Sequence, residues 1–215
     1  MVAPRLQPRL SVTCTPGVHR IVESHAATRG NDIALVGREN TLTYRELNQR
    51  GNALARYFIG RGFRRGSRAI VKMDACPDLA VVLLAVLKAG GAYTWLDRSE
   101  QGGWPYGISL EREIEGEERR HVVIDIREAM AASTRPAPNL PILTRAADIA
   151  CVLPQRNGLP GVRVPHATIT ALQAHPLPQA VGWSSEPGAL DLWRPLMAGT
   201  TVMLTTAPTE AAAAA

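Results

Sequence analysis

The sequence predicts an α/β fold in three layers, with a mostly parallel sheet and helices on both of its faces. Two strand-like runs, Ser67–Met73 and Gly91–Leu96, flank a helix-like run, Pro77–Gly90, and the joins between them are short. Pro at the start and Gly at the end are typical of a helix, and this run is apolar nearly all round. Strand, helix and strand with short joins indicate a parallel βαβ unit with a right-handed crossover.

The segment before this unit is predicted to be a hairpin followed directly by a helix. Asp32–Tyr44 contains an apolar run, a polar turn and a short second strand. Thr43 and Glu46 have the spacing of a capping box, which marks the first turn of a helix. Apolar residues then recur at helical spacing as far as Ile59, so the helix has one face that packs on the sheet.

The remaining elements are predicted from shorter signals. Ser109–Arg120 is predicted to be a charged, exposed helix or turn, and Ser133–Pro141 a Pro-rich connector. Helices are expected after His166 and within Ala189–Gly199, and a last strand at Thr201–Thr206. We expect four strands to run parallel: Ala69–Met73, Ala92–Leu96, Val122–Ile126 and Ile149–Leu153.

Composition excludes several classes of protein. The 215 residues are 46% hydrophobic and 20% charged, which is typical of a globular domain. The sequence contains neither a signal-peptide core nor a membrane-length apolar run, so we expect a cytoplasmic protein with no membrane partner. Its three cysteines form no CxxC motif, so no metal site is expected.

The net charge of +5 raises the question of a nucleic-acid partner. Only two of the 24 basic residues are lysines, Lys72 and Lys88, so arginine supplies the other 22. The arginines form no stripe interleaved with aromatic residues, and Phe, Trp and Tyr make up only 5% of the chain. We therefore expect no nucleic-acid partner.

Five stretches in order resemble the adenylation domains of nonribosomal peptide synthetases, in the superfamily of AMP-forming acyl and aminoacyl adenylate synthetases. The resemblance extends over Gly17–Leu204, and in "LKAGGAYTWLD" Trp95 stands where the family has Pro. The stretches are "LTYREL" (Leu42–Leu47), its continuation to Val71, "LKAGGAYTWLD" (Leu87–Asp97), "VPHATI" (Val164–Ile169) and "ALDLWRPLMAGTTVML" (Ala189–Leu204).

The resemblance implies part of the N-terminal subdomain of an adenylation-domain fold. We expect that partial subdomain over residues 17–206, a flexible N-terminal arm over 1–16 and an Ala-rich tail over 207–215. The family makes an aminoacyl-AMP from an amino acid and Mg-ATP, and then loads a carrier-protein thiol. The expected partners are therefore carrier, condensation or tailoring domains, with homo-oligomerisation as a further expectation through an exposed edge at Thr201–Thr206.

The phosphate-binding loop of the family departs most from its pattern here. The family has approximately YTSGTTGxPKGVxVPH, whereas Pro154–His166 is shorter, with every hydroxyl and the Lys missing. The resemblance places Gln155, Arg156 and Asn157 where Thr, Ser and Gly stand, and it keeps Gly158-Leu159-Pro160 and Gly161-Val162. The degenerate loop consists of Gln155, Arg156, Asn157, Gly158 and Gly161, so we expect neither ATP nor Mg to be bound as a cofactor.

The family's substrate-binding Asp is also replaced. In its place stands Glu186, a candidate for binding the substrate amine, and no residue is predicted to be catalytic. Whether the chain is an enzyme is left open. The first hypothesis is an inactive remnant that acts as a structural or docking element in peptide biosynthesis. The alternative is a split or minimal module that activates an amino or aryl acid with ATP when a partner completes it.

Overall fold

The computed structural model describes residues 16–96, 107–112, 120–141, 144–154, 161–172, 180–182 and 190–204. Within these ranges the helices are α1 (Val18–Thr28), α2 (Tyr44–Gly60), α3 (Pro77–Lys88), α4 (Ile126–Ala132), α5 (His166–Ala171) and α6 (Leu190–Ala198). The strands are β1 (Ile33–Val36), β2 (Thr41–Thr43), β3 (Arg68–Lys72), β4 (Ala92–Leu96), β5 (Gly107–Arg112), β6 (Arg120–Ile124), β7 (Ile149–Leu153), β8 (Val162–Pro165), β9 (Ala180–Gly182) and β10 (Thr201–Met203).

The strands form two mixed sheets, which confirms the α/β class. One sheet has the order β2-β1-β10-β9 and the other the order β6-β5-β3-β4-β7-β8. The expected parallel pairing is confirmed for β3, β4 and β7, which are neighbours in the second sheet. Strand β6, predicted at Val122–Ile126, runs in the same direction as these three, but its neighbour differs from the prediction, because the antiparallel β5 lies between β6 and β3.

Strand β5 is the reason for that difference, since its region was predicted to be an exposed helix or turn. It pairs antiparallel with β3, with Ile108 opposite Val71, and Ile108 is fully buried. The high charge of the following residues suggested a solvated helix. The period of two in "ISLER", with Ile108 and Leu110 on one face, is the signal that predicts the strand.

Helix α2 begins with the predicted capping box. The Thr43 hydroxyl accepts from the Glu46 backbone N–H at 3.2 Å, and the Thr43 backbone N–H donates to the Glu46 carboxylate at 2.8 Å. These bonds satisfy donors that a helix start leaves unpaired. The Tyr44 hydroxyl donates to the backbone carbonyl oxygens of Leu196 (3.1 Å) and Thr200 (2.8 Å), which joins α2 to the end of α6.

Helix α3 lies at the centre of the core and is buried on all sides, as its sequence predicted. Its last residue, Lys88, has a fully buried side chain, paired with the Glu23 carboxylate of α1 and bonded to Asn48 Oδ1 of α2 at 2.8 Å. Burial lowers the pKa of the Lys88 ammonium to about 8. Helix α1, which the sequence analysis did not predict, is thus connected to the core by an ion pair as well as by its apolar stripe.

The edge predicted at Thr201–Thr206 is wrong, because β10 lies inside its sheet between β1 and β9. A strand paired on both sides offers no free backbone to a partner. Within the described residues the sheets end instead at β2 and β9, and at β6 and β8. Residues 1–15 and 205–215 lie outside the described ranges, so the boundaries of the arm and the tail stay predictions. None of the described helices is both long and apolar enough to span a membrane.

Candidate functional site

The carboxyl ends of β3, β4 and β7 meet at one edge of the six-stranded sheet, because these strands are parallel neighbours. In open α/β sheets, ligands bind outside this edge. The degenerate loop follows β7 directly, so it begins at the same edge as the connection from β3 to α3. We call this region the carboxyl edge, and it is the candidate site.

The degenerate loop closes a hairpin between β7 and β8. These strands are antiparallel, with Leu153 opposite Val162, so both ends of the loop are held by the sheet. Gly161 packs so tightly that an added Cβ would lie 2.8 Å from the Leu153 carbonyl oxygen. This contact accounts for a glycine at 161. The other four predicted loop residues, Gln155, Arg156, Asn157 and Gly158, lie outside the described residues, as does Glu186.

A half-open cavity of about 600 Å³ lies at the carboxyl edge, between the start of α3 and the start of α4. Its volume is in the range of small-molecule sites. Three carboxylates and one guanidinium line it, together with a thiol and apolar side chains. The lining residues are Met73, Asp74, Cys76, Asp78, Asp125, Ile126, Arg127 and Met130.

The polar groups of this cavity are largely engaged within the protein. Asp125 caps α4, accepting from the backbone N–H groups of Arg127 (2.7 Å) and Glu128 (3.3 Å). Burial raises the pKa of the Cys76 thiol, and the nearby carboxylates of Asp78 and Asp74 raise it further. At neutral pH the thiol therefore stays protonated and is a poor nucleophile.

Trp95 is hydrogen-bonded to Met73, which lines the cavity. Trp95 is almost fully buried, and its indole N–H donates to the Met73 carbonyl oxygen at 2.9 Å. The family has Pro at this position, and Pro has no such donor. The substitution therefore gives the chain a hydrogen bond that fixes the exit from β3.

A second cavity, of about 510 Å³, lies on the other side of the start of α3, against the turn between β1 and β2. An added Cβ on Gly37 would lie 2.6 Å from the Pro77 ring, so the turn approaches α3 closely only because residue 37 is glycine. Arg38, Glu39 and Asp78 give this lining one positive and two negative groups.

The described residues of the carboxyl edge do not fit the Mg-ATP that the family uses. The larger cavity has a formal charge of −2 from three carboxylates and Arg127, which disfavours a triphosphate. Among the described residues, no group of three or more His, Cys, Asp or Glu side chains is placed to hold a metal ion. The absence of a metal or nucleotide cofactor stays a prediction.

His166, in the "VPHATI" stretch, has a structural position. It is fully buried at the start of α5, and its Nδ1 accepts from the Val18 backbone N–H at 3.3 Å. Burial lowers its pKa to about 4, so the ring is neutral near pH 7. Its neighbour His19 is also buried, and the ring centroids are 5.8 Å apart. These two histidines connect α1 to α5. They are 147 residues apart in sequence, so sequence spacing gives no indication of the contact.

Sequence reasoning missed the cavity because its acidic residues come from separate connections. Asp74 follows β3 and Asp125 follows β6, and only the antiparallel β5 brings these two strand ends together. The available signal is that both aspartates follow strand-like runs, Asp125 directly after Val122–Ile124 and Asp74 directly after Ala69–Met73. A polar residue at a strand end is an indication of a site when the strands share an edge.

Comparison with known proteins agrees with this architecture. Residues 22–123 match the family described as AMP-binding enzyme. The chain is 44% identical over 87 residues to tyrocidine synthase 3 of Brevibacillus parabrevis and 41% identical over 80 residues to gramicidin S synthase 1 of Brevibacillus brevis. These matches cover 40% and 37% of this chain, but 1% and 7% of those proteins.

Solved structures show the same fold at low sequence identity. The N-terminal subdomain of Klebsiella oxytoca NpsA, in complex with 3-hydroxyanthranilyl-AMSN, superposes with a TM-score of 0.72 at 16% identity. That match covers 93% of this chain and 56% of the subdomain. An artificially fused adenylation–PCP di-domain, NpsA–ThdA from the same organism, gives 0.71 at 17% identity and covers 94% of this chain and 42% of the fusion.

The chain is an α/β protein that is similar over residues 22–123 to the family described as AMP-binding enzyme. More narrowly, its fold is similar to that of the N-terminal subdomain of NpsA, and its curated relatives include tyrocidine synthase 3 and gramicidin S synthase 1. It spans a small fraction of the length of the curated relatives that it matches.

Proposed function

We propose that this chain does not adenylate a substrate by itself and acts as a structural or docking element in nonribosomal peptide biosynthesis. One observation carries the proposal. Where the chain resembles the family most, its side chains bind other parts of the core, whereas the loop that would bind phosphate has none of the family's hydroxyls and no Lys.

Three residues from the resembling stretches illustrate the first half of this observation. Tyr44 bonds to carbonyl oxygens at the end of α6 and at Thr200, Lys88 is paired with a carboxylate of α1, and His166 accepts from the first residue of α1. Each joins elements far apart in sequence. Retaining these residues keeps the fold without requiring any ligand.

The second half concerns phosphate. A triphosphate is held by charge-assisted hydrogen bonds, each contributing about 1.5–3 kcal/mol. Pro154–His166 offers no hydroxyl and no Lys, and the nearest described cavity is acidic. Losing three or four such bonds weakens binding by several orders of magnitude, at about 1.4 kcal/mol for each factor of ten.

The test is amino-acid-dependent ATP–pyrophosphate exchange with the purified chain, across the twenty amino acids and several aryl acids. A complete adenylation domain serves as the positive control, and ATP binding is measured in parallel by calorimetry. We expect exchange at background and no heat of binding. Exchange above background by the chain alone would overturn the proposal.

A split adenylating module is the second candidate, and the β7–β8 hairpin favours it. The pairing of Leu153 with Val162 places the two ends of the degenerate loop at the carboxyl edge, where a partner's groups would have to meet it. Exchange seen only after a partner protein is added would support this candidate. An Arg156→Ala change should then abolish the exchange, since Arg156 is the one cation left in the loop.

We infer that the partners are carrier, condensation or tailoring domains. Two relatives, 44% and 41% identical over 87 and 80 residues, are tyrocidine synthase 3 and gramicidin S synthase 1, and one structural neighbour is an adenylation domain fused to a carrier domain, PCP. Size-exclusion chromatography with light scattering, of the chain alone and mixed with each excised domain, tests this inference. A single monomeric species in every mixture would contradict both docking and homo-oligomerisation.

A further inference from the structure

Four exposed arginines lie together at the edge of the six-stranded sheet opposite the carboxyl edge. Arg61, Arg64 and Arg65 are in the connection that leads into β3, and Arg145 is in the connection that leads into β7. Because β3, β4 and β7 are parallel neighbours, both connections reach the same edge. We call these four residues the basic corner.

Asp148 joins the two halves of the basic corner. Its carboxylate accepts two bonds from the Arg65 guanidinium, from Nε at 2.9 Å and from Nη2 at 2.7 Å. The same carboxylate accepts from the Arg145 backbone N–H at 2.7 Å. The bonds from Arg65 keep the pKa of Asp148 below its usual value. Residues 80 positions apart in sequence are therefore held next to one another.

The other two arginines are held in position by contacts with the end of α2 and, for Arg61, with α4. Arg61 lies over the Tyr57 ring, 4.9 Å from its centroid, and pairs with Glu128 at 3.2 Å. Arg64 donates to the carbonyl oxygens of Ile59 (2.7 Å) and Phe63 (2.9 Å). These arginine side chains therefore lose little conformational entropy when a partner binds them.

The local charge does not cancel. Four guanidinium groups face two carboxylates, Asp148 and Glu128, so the basic corner has a formal charge of +2. The side chains of Arg61 and Arg65 are 46% and 43% exposed even within their ion pairs. The corner can therefore form ion pairs with an incoming surface without breaking the pairs inside the protein.

We propose that the basic corner docks an acidic polypeptide surface, one rich in Asp and Glu, on a partner protein. This proposal rests on the proposed docking function and specifies the chemistry of the partner. The bidentate geometry of Arg65 with Asp148 is the geometry in which arginine binds a carboxylate. A folded partner can place its own cations opposite Asp148 and Glu128.

A nucleic acid fits the basic corner less well. Its phosphates form an unbroken row of negative charges, which would lie against Asp148 and Glu128. Proteins that bind single strands also present aromatic faces for bases, whereas the nearby Tyr57 ring is covered by Arg61. An acidic polypeptide is therefore the partner class that we test first.

The test measures binding of the whole chain to a fluorescein-labelled Glu-rich helical peptide and to a labelled DNA duplex, by anisotropy at two salt concentrations. The test variant is Arg61→Ser/Arg145→Ser. The control is Arg38→Ser/Arg45→Ser, which removes the same charge from exposed arginines elsewhere. If the double test variant melts early, the single change Arg145→Ser replaces it.

We expect salt-sensitive binding of the peptide that is about two- to thirty-fold weaker in the test variant, which loses two pairs, and changed less than two-fold in the control. This range follows from about 0.2–1 kcal/mol for each exposed ion pair lost. Equal weakening in both variants, or no binding by the unmodified chain, would overturn the proposal. Tighter binding of the duplex through Arg61 and Arg145 would overturn it in favour of a nucleic-acid surface.

The same proteins are assayed for ATP–pyrophosphate exchange, which separates the two proposals. If the chain shows no exchange and does not bind the peptide, only the proposal that the basic corner docks an acidic partner is contradicted. An active chain that binds the peptide through Arg61 and Arg145 contradicts only the proposed function.

Discussion

Acidification should unfold this protein through its buried histidine pair. The His166 ring is fully buried and has a pKa of about 4, whereas a histidine in an unfolded chain titrates near 6.5. Below pH 6.5 the unfolded chain therefore binds a proton that the folded chain does not. Stability from this group is fully present above pH 6.5, falls as the pH drops, and stops falling near pH 4.

The expected magnitude follows from the two pKa values. The free energy of unfolding should fall by up to about 1.4 kcal/mol for each pH unit, and by about 3 kcal/mol over the whole window, from His166 alone. Burial and the charge of His166 also lower the pKa of His19, so its effect has the same sign. The Asp148 carboxylate acts in the opposite direction to burial, because its negative charge raises the pKa of His166. The total free energy of unfolding of a typical domain is only about 5–15 kcal/mol.

The assay is urea unfolding at a series of pH values from 8 to 4, for the natural chain and for His166→Asn. The asparagine oxygen can still accept from the Val18 N–H, as Nδ1 does at 3.3 Å, but it does not titrate. Carboxylates titrate equally in both proteins, so the difference between the two curves isolates His166. The curves should run parallel above pH 7 and converge below 6.5. Parallel curves down to pH 4 would refute the reasoning.

Three further changes test individual contacts by the free energy of unfolding at pH 7. Lys88→Met should cost about 1–3 kcal/mol because the buried Glu23 carboxylate keeps only Arg20 as an ion-pair partner, and adding Glu23→Gln should recover part of that loss; an additive double variant would contradict the ion pair. Thr43→Ala should cost about 0.5–2 kcal/mol through loss of the α2 cap, and an unchanged midpoint would count against it. Tyr93→Phe should cost about 1–3 kcal/mol, since the buried Trp193 indole donates to the Tyr93 hydroxyl at 2.6 Å; Trp193→Phe made in the same background should then cost less than it does alone.

Periodicity in the sequence predicted the central part of the fold. The capped helix α2, the buried helix α3 and the strands on either side of α3 all lie where the pattern placed them. These elements have long apolar faces and clear ends, which are local properties. Helix α1 was missed because its buried face is partly polar: His19 and Glu23 are buried beside Val18, Val22 and Ala26.

Pairing between strands was harder to predict than their existence. Nothing in "VVID" shows which strand it pairs with, and its neighbour in the sheet is the antiparallel β5. The acidic cavity was missed for the same reason, since Asp74 and Asp125 come together only because β6 pairs with β5. Arg65 and Arg145 likewise come together only through Asp148.

The fold also shows why a chain can resemble its family in the core while differing in the loop. Removing the Tyr44 hydroxyl or the Lys88 ammonium leaves buried partners unsatisfied, so such changes destabilise the whole domain. The loop after Leu153 is held at its two ends by the β7–β8 ladder, and changes between those ends cost that ladder nothing. Loss of phosphate donors is therefore compatible with an intact fold, and stability alone cannot distinguish an adenylating domain from a docking element. Only the exchange and binding assays, made on the same folded chain, separate the two.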